Sequence, residues 1–258
     1  ASEAEDSSII GYYTDEDSND MYELTFVSET NIEANQNSSY LFYYLSNVKE
    51  IALDNFDTSQ VTNMSSMFWN CRSLTSLDVS KFDTSKVTGM SLMFTSCRSL
   101  TSLDVSKFDT SQVTNMAQMF WECRSLTSLD VSKFDTSKVI NMQGMFAWCE
   151  NVISLDVSKF DISQVTNMRG MFSGCRSLTS LDVSNFDTSR VTDMDNMFTA
   201  CEFASLDVSN FDTSRVTDMS FMFQGCKFAS LDVSNFDTSR VTDMDSMFAE
   251  CNNFISLD

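Results

Sequence analysis

Three residue types in this 258-residue chain could carry chemistry. Eight cysteines stand at 71, 97, 123, 149, 175, 201, 226 and 251, and in a secreted chain they would ordinarily be counted as disulfides. Aspartates recur as Asp78, Asp104, Asp130, Asp156, Asp182, Asp207 and Asp232, each flanked two residues away by serines, as in Ser76-x-Asp78-x-Ser80 and Ser102-x-Asp104-x-Ser106. Carboxylate and hydroxyl oxygens together suit a hard cation such as calcium, or hydrogen bonding to a polar ligand. The third type is aromatic: Trp69, Trp121, Trp148 and Phe221 are the bulky members of otherwise variable positions, and such residues anchor interfaces when exposed. Histidine is absent, which removes the commonest general base and the commonest zinc ligand. No single nucleophile or base stands apart from the repeats, so the chain reads as non-enzymatic.

Cysteine spacings of 26, 26, 26, 26, 26, 25 and 25 set the architecture that must position these groups. A fixed period of this size means a stack of supersecondary units, here a solenoid of eight coils over residues 49–258. Within the unit at 74–99, Leu77 and Val79 are two apart, as in a strand with one face inward. Met90, Met93, Phe94 and Cys97 lie at i, i+3, i+4 and i+7, which predicts one stripe of a two-turn helix. The expected fold is α/β: a right-handed solenoid with a parallel sheet on its concave side and short helices on its convex side. An all-β solenoid is the alternative. With helix axes ~8–10 Å apart, beyond the reach of a disulfide, the cysteines are expected as buried free thiols. One cysteine per coil also gives no paired ligands for a metal.

Residues 1–48 hold ten acidic and no basic side chains and form an acidic N-terminal cap. Tyr22, Leu24 and Phe26 alternate like a strand, to be paired as a hairpin with Ile9–Tyr13 across a turn at 15–20. Tyr40–Val48 aligns with Ser66–Leu74 as a degenerate half-repeat. The run Asp15-x-Asp17-x-Asn19 opens like a calcium loop but has Phe26 where the bidentate glutamate belongs. At the other end Ile255–Asp258 reads as the opening of a ninth strand without a cap.

The string S-L-T-S-L-D-V-S-K-F-D-T-S-K-V-T-x-M-x-x-M-F-x-x-C, repeated from about residue 40 to 258, resembles the BspA-like leucine-rich repeat surface proteins of bacteria. The resemblance implies a secreted or cell-surface repeat protein of adhesion, binding host matrix, glycan or other cells. Members usually carry a signal peptide, further repeats and a wall-anchoring end, and Ala1-Ser2-Glu3-Ala4 fits the start left by signal removal.

The net charge of −21 argues against nucleic acid as a partner, and no apolar run approaches the ~18 residues of a membrane span. The expected partner is an extracellular protein or a polysaccharide, or a second copy of the chain. Equivalent strand atoms lie ~4.8 Å apart, so the seven aspartates make a concave file of like charges. Lysines at 81, 107, 133 and 159, hydroxyl donors, or bound calcium could offset that repulsion. Three function classes follow. The first is an adhesin or interaction module; the second is a structural subunit stacking head to tail into filaments; the third is a calcium-binding surface protein.

Overall fold

The computed structural model describes residues 10–14, 22–27 and 31–257. Ile9, the 15–20 turn, the Asp15-x-Asp17-x-Asn19 run and the segment at 1–4 lie outside them. Strand β1 (Ile10–Thr14) pairs antiparallel with β2 (Tyr22–Val27), which runs parallel to β4 (Val48–Ala52). Strand β3 (Ile32–Glu33) lies parallel to β5 (Phe56–Asp57), and β6 (Ser230–Leu231) to β7 (Ser256–Leu257). Tyr22 therefore sits on Val48, Ile32 on Phe56 and Asn37 on Asn63. Residues 22–27 and 31–47 are stacked as a coil of their own on the one that follows. The segment at 40–48 is that coil's closing part, and β1 covers the outer edge of its strand.

The helices expected on the convex side are absent among the described residues, and the reason is visible in the hydrogen bonds. In the stretch 90–97 the N–H groups alternate between two destinations. Those of Met93, Thr95 and Cys97 donate three residues back, to Met90, Leu92 and Phe94, at 3.3, 3.2 and 3.1 Å. Those of Leu92, Phe94 and Ser96 cross to the next coil, to the carbonyls of Ala117, Met119 and Trp121, at 2.9, 2.9 and 2.7 Å. A helix would spend every amide inside its own coil. Here the even amides join the coils into a parallel ladder, and the odd ones close a cascade of β-turns.

Two left-handed residues per coil make this cascade turn. Leu92 and Ser96 have φ of 58° and 59°, each at the third place of its turn, as a type II turn requires. The same two places recur in every coil, for example at Gln118 and Glu122 or at Gly170 and Gly174. A left-handed residue every fourth position brings Met90, Met93, Phe94 and Cys97 inward, and all four are fully buried. The helical spacing thus marked the buried residues correctly while assigning them the wrong backbone.

The inner stack is regular. Phe42, Phe68, Phe94, Phe120, Phe146, Phe172, Phe198, Phe223 and Phe248 form one column, with centroids 5.3–5.9 Å apart and planes within 15°. Offset stacking contributes roughly 0.5–1.5 kcal/mol per pair beyond area burial. A second column is polar: the buried Thr84 hydroxyl donates to Asp109 O at 2.9 Å and accepts from Asp109 N at 2.8 Å, tying one coil to the next. Thr110 and Thr136 do the same for Asp135 and Asp161.

The continuous parallel sheet expected on the concave side also needs correction. Ladder pairing there is confined to the two ends, at β2–β4 and β6–β7. Between them the Ser-Leu-Asp-Val segments are extended but joined by isolated bonds, such as Thr127 N to Thr101 O at 3.4 Å. The coils are held instead by the turn ladder, the threonine column and a row of single bridges from Asn37 to Asp243. At the C-terminal end Val233, Phe236, Val241 and Phe254 are half-buried.

Candidate functional site

The Ser-x-Asp-x-Ser segments lie side by side, solvent-exposed at their first serine and at the aspartate, with the second serine half-buried in the first four and the intervening leucines buried. A shallow groove of about 410 Å³ runs over Glu50, Ala52, Asp54, Ser76, Asp78, Lys81 and Asp104, and a neighbour of about 450 Å³ continues it over Ser102, Asp130, Ser154 and Asp156.

Each aspartate is held locally. The Ser80 N–H donates to Asp78 Oδ1 at 2.8 Å, and the Ser106 N–H to Asp104 at 2.9 Å. At Asp130, Asp156 and Asp182 both the amide and the hydroxyl of the serine two residues on donate, the hydroxyls at 2.6, 2.7 and 2.6 Å. Amides of Ser209 and Ser234 serve Asp207 and Asp232 in the same way. These donors hold all seven carboxyls below the usual aspartate range, and the opposing push from neighbours, such as Asp156 and Asp207 on Asp182, is smaller. Of the three offsets weighed for the like-charge file, hydroxyl and amide donation leads. Lysine is secondary: Lys81 pairs with Asp54 at 3.0 Å, and in the last three coils Asn185, Asn210 and Asn235 donate to backbone carbonyls of the preceding coil instead. Among the described residues no three acidic or cysteine groups converge as a metal site.

A second row of aspartates, in the Phe-Asp-Thr-Ser loops, serves the turns themselves. Asp83 Oδ1 accepts the amide and hydroxyl of Ser85 at 3.0 and 2.6 Å, which closes the turn and lowers its pKa.

The aromatic candidates are separated from the aspartates by the core. Trp69, Trp121, Trp148 and Phe221 are all half-buried on the turn side. Trp148 lies beneath the Arg176 guanidinium at 5.6 Å, and a Cβ at Gly174, φ +73°, would stand 2.7 Å from its ring. Trp148 and Phe221 themselves stand at left-handed places, with φ of 61° and 57°, while Trp69 and Trp121 each precede one. The glycine pair at 170 and 174, four apart inside an expected helix, was the signal for this conformation. Two features escaped the sequence reading. One is the row Asn63, Asn115, Asn141 and Asn167, continued by Asp193, Asp218 and Asp243, whose side chains accept the amide two residues on at 2.9–3.0 Å. The other is an exposed tyrosine cluster at 40–44.

All eight cysteines are free thiols. Each donates its S–H to a phenylalanine carbonyl of the preceding coil, as Cys97 does to Phe68 O at 3.2 Å. The helix-spacing argument for this outcome does not survive. Ladder-bonded coils stand ~4.8 Å apart, within disulfide range. Burial keeps the thiols protonated, with Cys71, Cys175 and Cys226 pushed up to about 12.

The profile of one protein family, described as "Mycoplasma protein of unknown function, DUF285", matches residues 36–155 and 149–257. The chain belongs to this family. The matched spans take in every coil from the Asn37 bridge onward. No curated relative matches. Among solved structures, a leucine-rich repeat protein from Bacteroides ovatus is similar at 14% identity and a TM-score of 0.55, over 96% of this chain and 69% of that one. That likeness shows a leucine-rich-repeat-like solenoid. Among the described residues no helix is long and apolar enough to cross a membrane.

Proposed function

We propose that this DUF285 chain is a non-enzymatic adhesin or interaction module of the bacterial cell surface or secreted space, reading an extracellular protein or polysaccharide through its repeated face. The observation that carries the reading is the Ser-x-Asp-x-Ser row. Each carboxylate is oriented by its own serine, ionised and solvent-facing, and repeated without a unique cleft. An enzyme gathers dissimilar groups at one place, whereas this face offers the same group many times. Such a surface gains affinity by contacting an extended or repeating ligand at several coils at once.

The head-to-tail filament is less well supported. Strand β1 occupies the edge of β2 where the strand of an incoming coil would have to pair.

The test is a binding screen of the chain against immobilised matrix proteins, glycans and whole cells, with the triple variant Asp104→Asn, Asp130→Asn, Asp156→Asn alongside. Asparagine keeps the Oδ1 acceptor for serine and removes the charge, so folding is expected to persist. Binding that weakens at least tenfold in the variant supports this face. Undiminished binding moves the ligand elsewhere, and a screen without any ligand removes the adhesive reading.

A further inference from the structure

The first stacked coil breaks the chemical pattern of the rest. Its two left-handed places are filled by Tyr40 and Tyr44, with φ of 61° and 64°; later coils put glycine or mostly smaller and polar residues there, and the two aromatic exceptions, Trp148 and Phe221, are half-buried. A bulky aromatic residue is among the poorest choices for that backbone region. Burial does not compensate, because Tyr40 is 53% exposed and Tyr44 54%. Neither the turn nor the core accounts for these side chains.

They are not isolated. Tyr43 lies 5.7 Å from Tyr40, 5.2 Å from Tyr44 and 5.1 Å from Trp69 between ring centroids, with interplanar angles of 88°, 58° and 45°. Among the described residues none of the three phenol hydroxyls has a hydrogen-bond partner, so donors and acceptors remain for a ligand. In a chain of net charge −21, the stretch from Asn35 to Val48 carries no charged side chain at all.

We propose that Tyr40, Tyr43, Tyr44 and Trp69 form a stacking platform for an uncharged polysaccharide. Sugar rings present C–H faces that pack on aromatic rings, and hydroxyls that meet phenols, which is the mixed surface displayed here. The charge of the whole chain disfavours sulfated, phosphorylated or uronate polymers. A quaternary ammonium would need rings held apart around it, and these rings touch one another. The platform deepens the adhesive reading by adding a glycan site on the turn side of the first coil, away from the aspartate row.

The experiment is native affinity electrophoresis of the full chain through gels containing laminarin, galactomannan, hydroxyethylcellulose or dextran, with alginate as the polyanionic control. Retardation by at least one neutral polymer is expected, together with at least a tenfold loss of affinity in Tyr40→Gly/Tyr44→Gly. Glycine suits both left-handed positions, so the melting temperature of that variant should hold or rise, which separates lost binding from lost folding. The Asp104/Asp130/Asp156 triple variant should be retarded like the parent, which keeps failure of the aspartate face distinct from failure here. Four outcomes would overturn the platform: no retardation by any neutral polymer, equal retardation of the tyrosine variant, stronger retardation by alginate, or loss of retardation in the aspartate variant.

Discussion

At the scale of single residues the solenoid depends on polar groups buried between coils. The Thr110 hydroxyl accepts from Asp135 N at 2.8 Å and donates to Asp135 O at 2.9 Å, with the side chain 1% exposed. Thr110→Val keeps the shape but strands that amide, and a buried unsatisfied donor costs about 1–3 kcal/mol. Denaturant unfolding of the variant should show a loss of that size; a loss below ~0.5 kcal/mol would mean water replaces the hydroxyl. Residue 162 shows what the column tolerates, since Ile162 fills the same register there with a buried apolar group. The cysteines make a kinetic prediction. Seven are buried and only Cys251 is partly exposed, so a thiol reagent at pH 8 should find Cys251 first and the rest only on unfolding. Several thiols reacting rapidly in the native protein would contradict the packing.

The turn cascade brings the left-handed positions into view at the scale of the element. A side chain in that conformation costs roughly 1–2 kcal/mol, against about 0.5–1 kcal/mol of extra chain entropy for glycine. Leu92→Gly should therefore stabilise by roughly 0.5–1 kcal/mol, although it removes a large side chain. Gly174→Ala should do the opposite and more, because its Cβ would meet Trp148 at 2.7 Å as well as the unfavourable φ. Paired thermal melts would settle both signs, and a destabilised Leu92→Gly would show that Leu92 packs more than it strains. These positions also explain what was legible beforehand. Period, core membership and the concave aspartate file could be read because side-chain burial repeats with the sequence. Backbone conformation could not, since i, i+3, i+4, i+7 describes which residues turn inward and is shared by a helix and by a four-residue turn repeat. The strand reading failed for a related reason: Leu77 and Val79 alternate inward in an extended segment whether or not its amides pair. At the candidate site the residue types were legible, but the local serine bonds that orient each aspartate needed the turn geometry.

The charge of the whole molecule governs its response to acid. Serine donors hold Asp78, Asp104, Asp130, Asp156, Asp182, Asp207 and Asp232 below the usual range, and Asp57, Asp83, Asp135, Asp212 and Asp237 likewise. A carboxyl whose folded pKa lies below its unfolded value of ~3.9 binds its proton more readily in the unfolded chain. Its contribution is complete above that value and is lost as pH falls through the folded pKa. Asp193, raised by burial, has the reverse sign and stands against these twelve and Glu122, where burial is overcome by Arg98 and Arg124, which hold it low. Mutual repulsion within a chain of −21 acts in the other direction, since partial protonation relieves it while the serine bonds still hold. The melting temperature should therefore stay level or rise slightly from pH 7 to about 5, then fall once the pH drops below ~4. At pH 7 added salt should raise it, because screening weakens the repulsion without touching bonds made two residues apart. A melting temperature that fell steadily from pH 7, or that dropped with salt, would instead mean that long-range attraction between aspartates and basic groups holds the coils together. Along the aspartate row Lys81 pairs with Asp54 and its last equivalents are Asn185, Asn210 and Asn235, which argues against that arrangement there; a loss with salt would point instead to the coil-to-coil pairs Arg98–Glu122, Arg124–Glu150, Arg169–Asp195 and Lys227–Glu202.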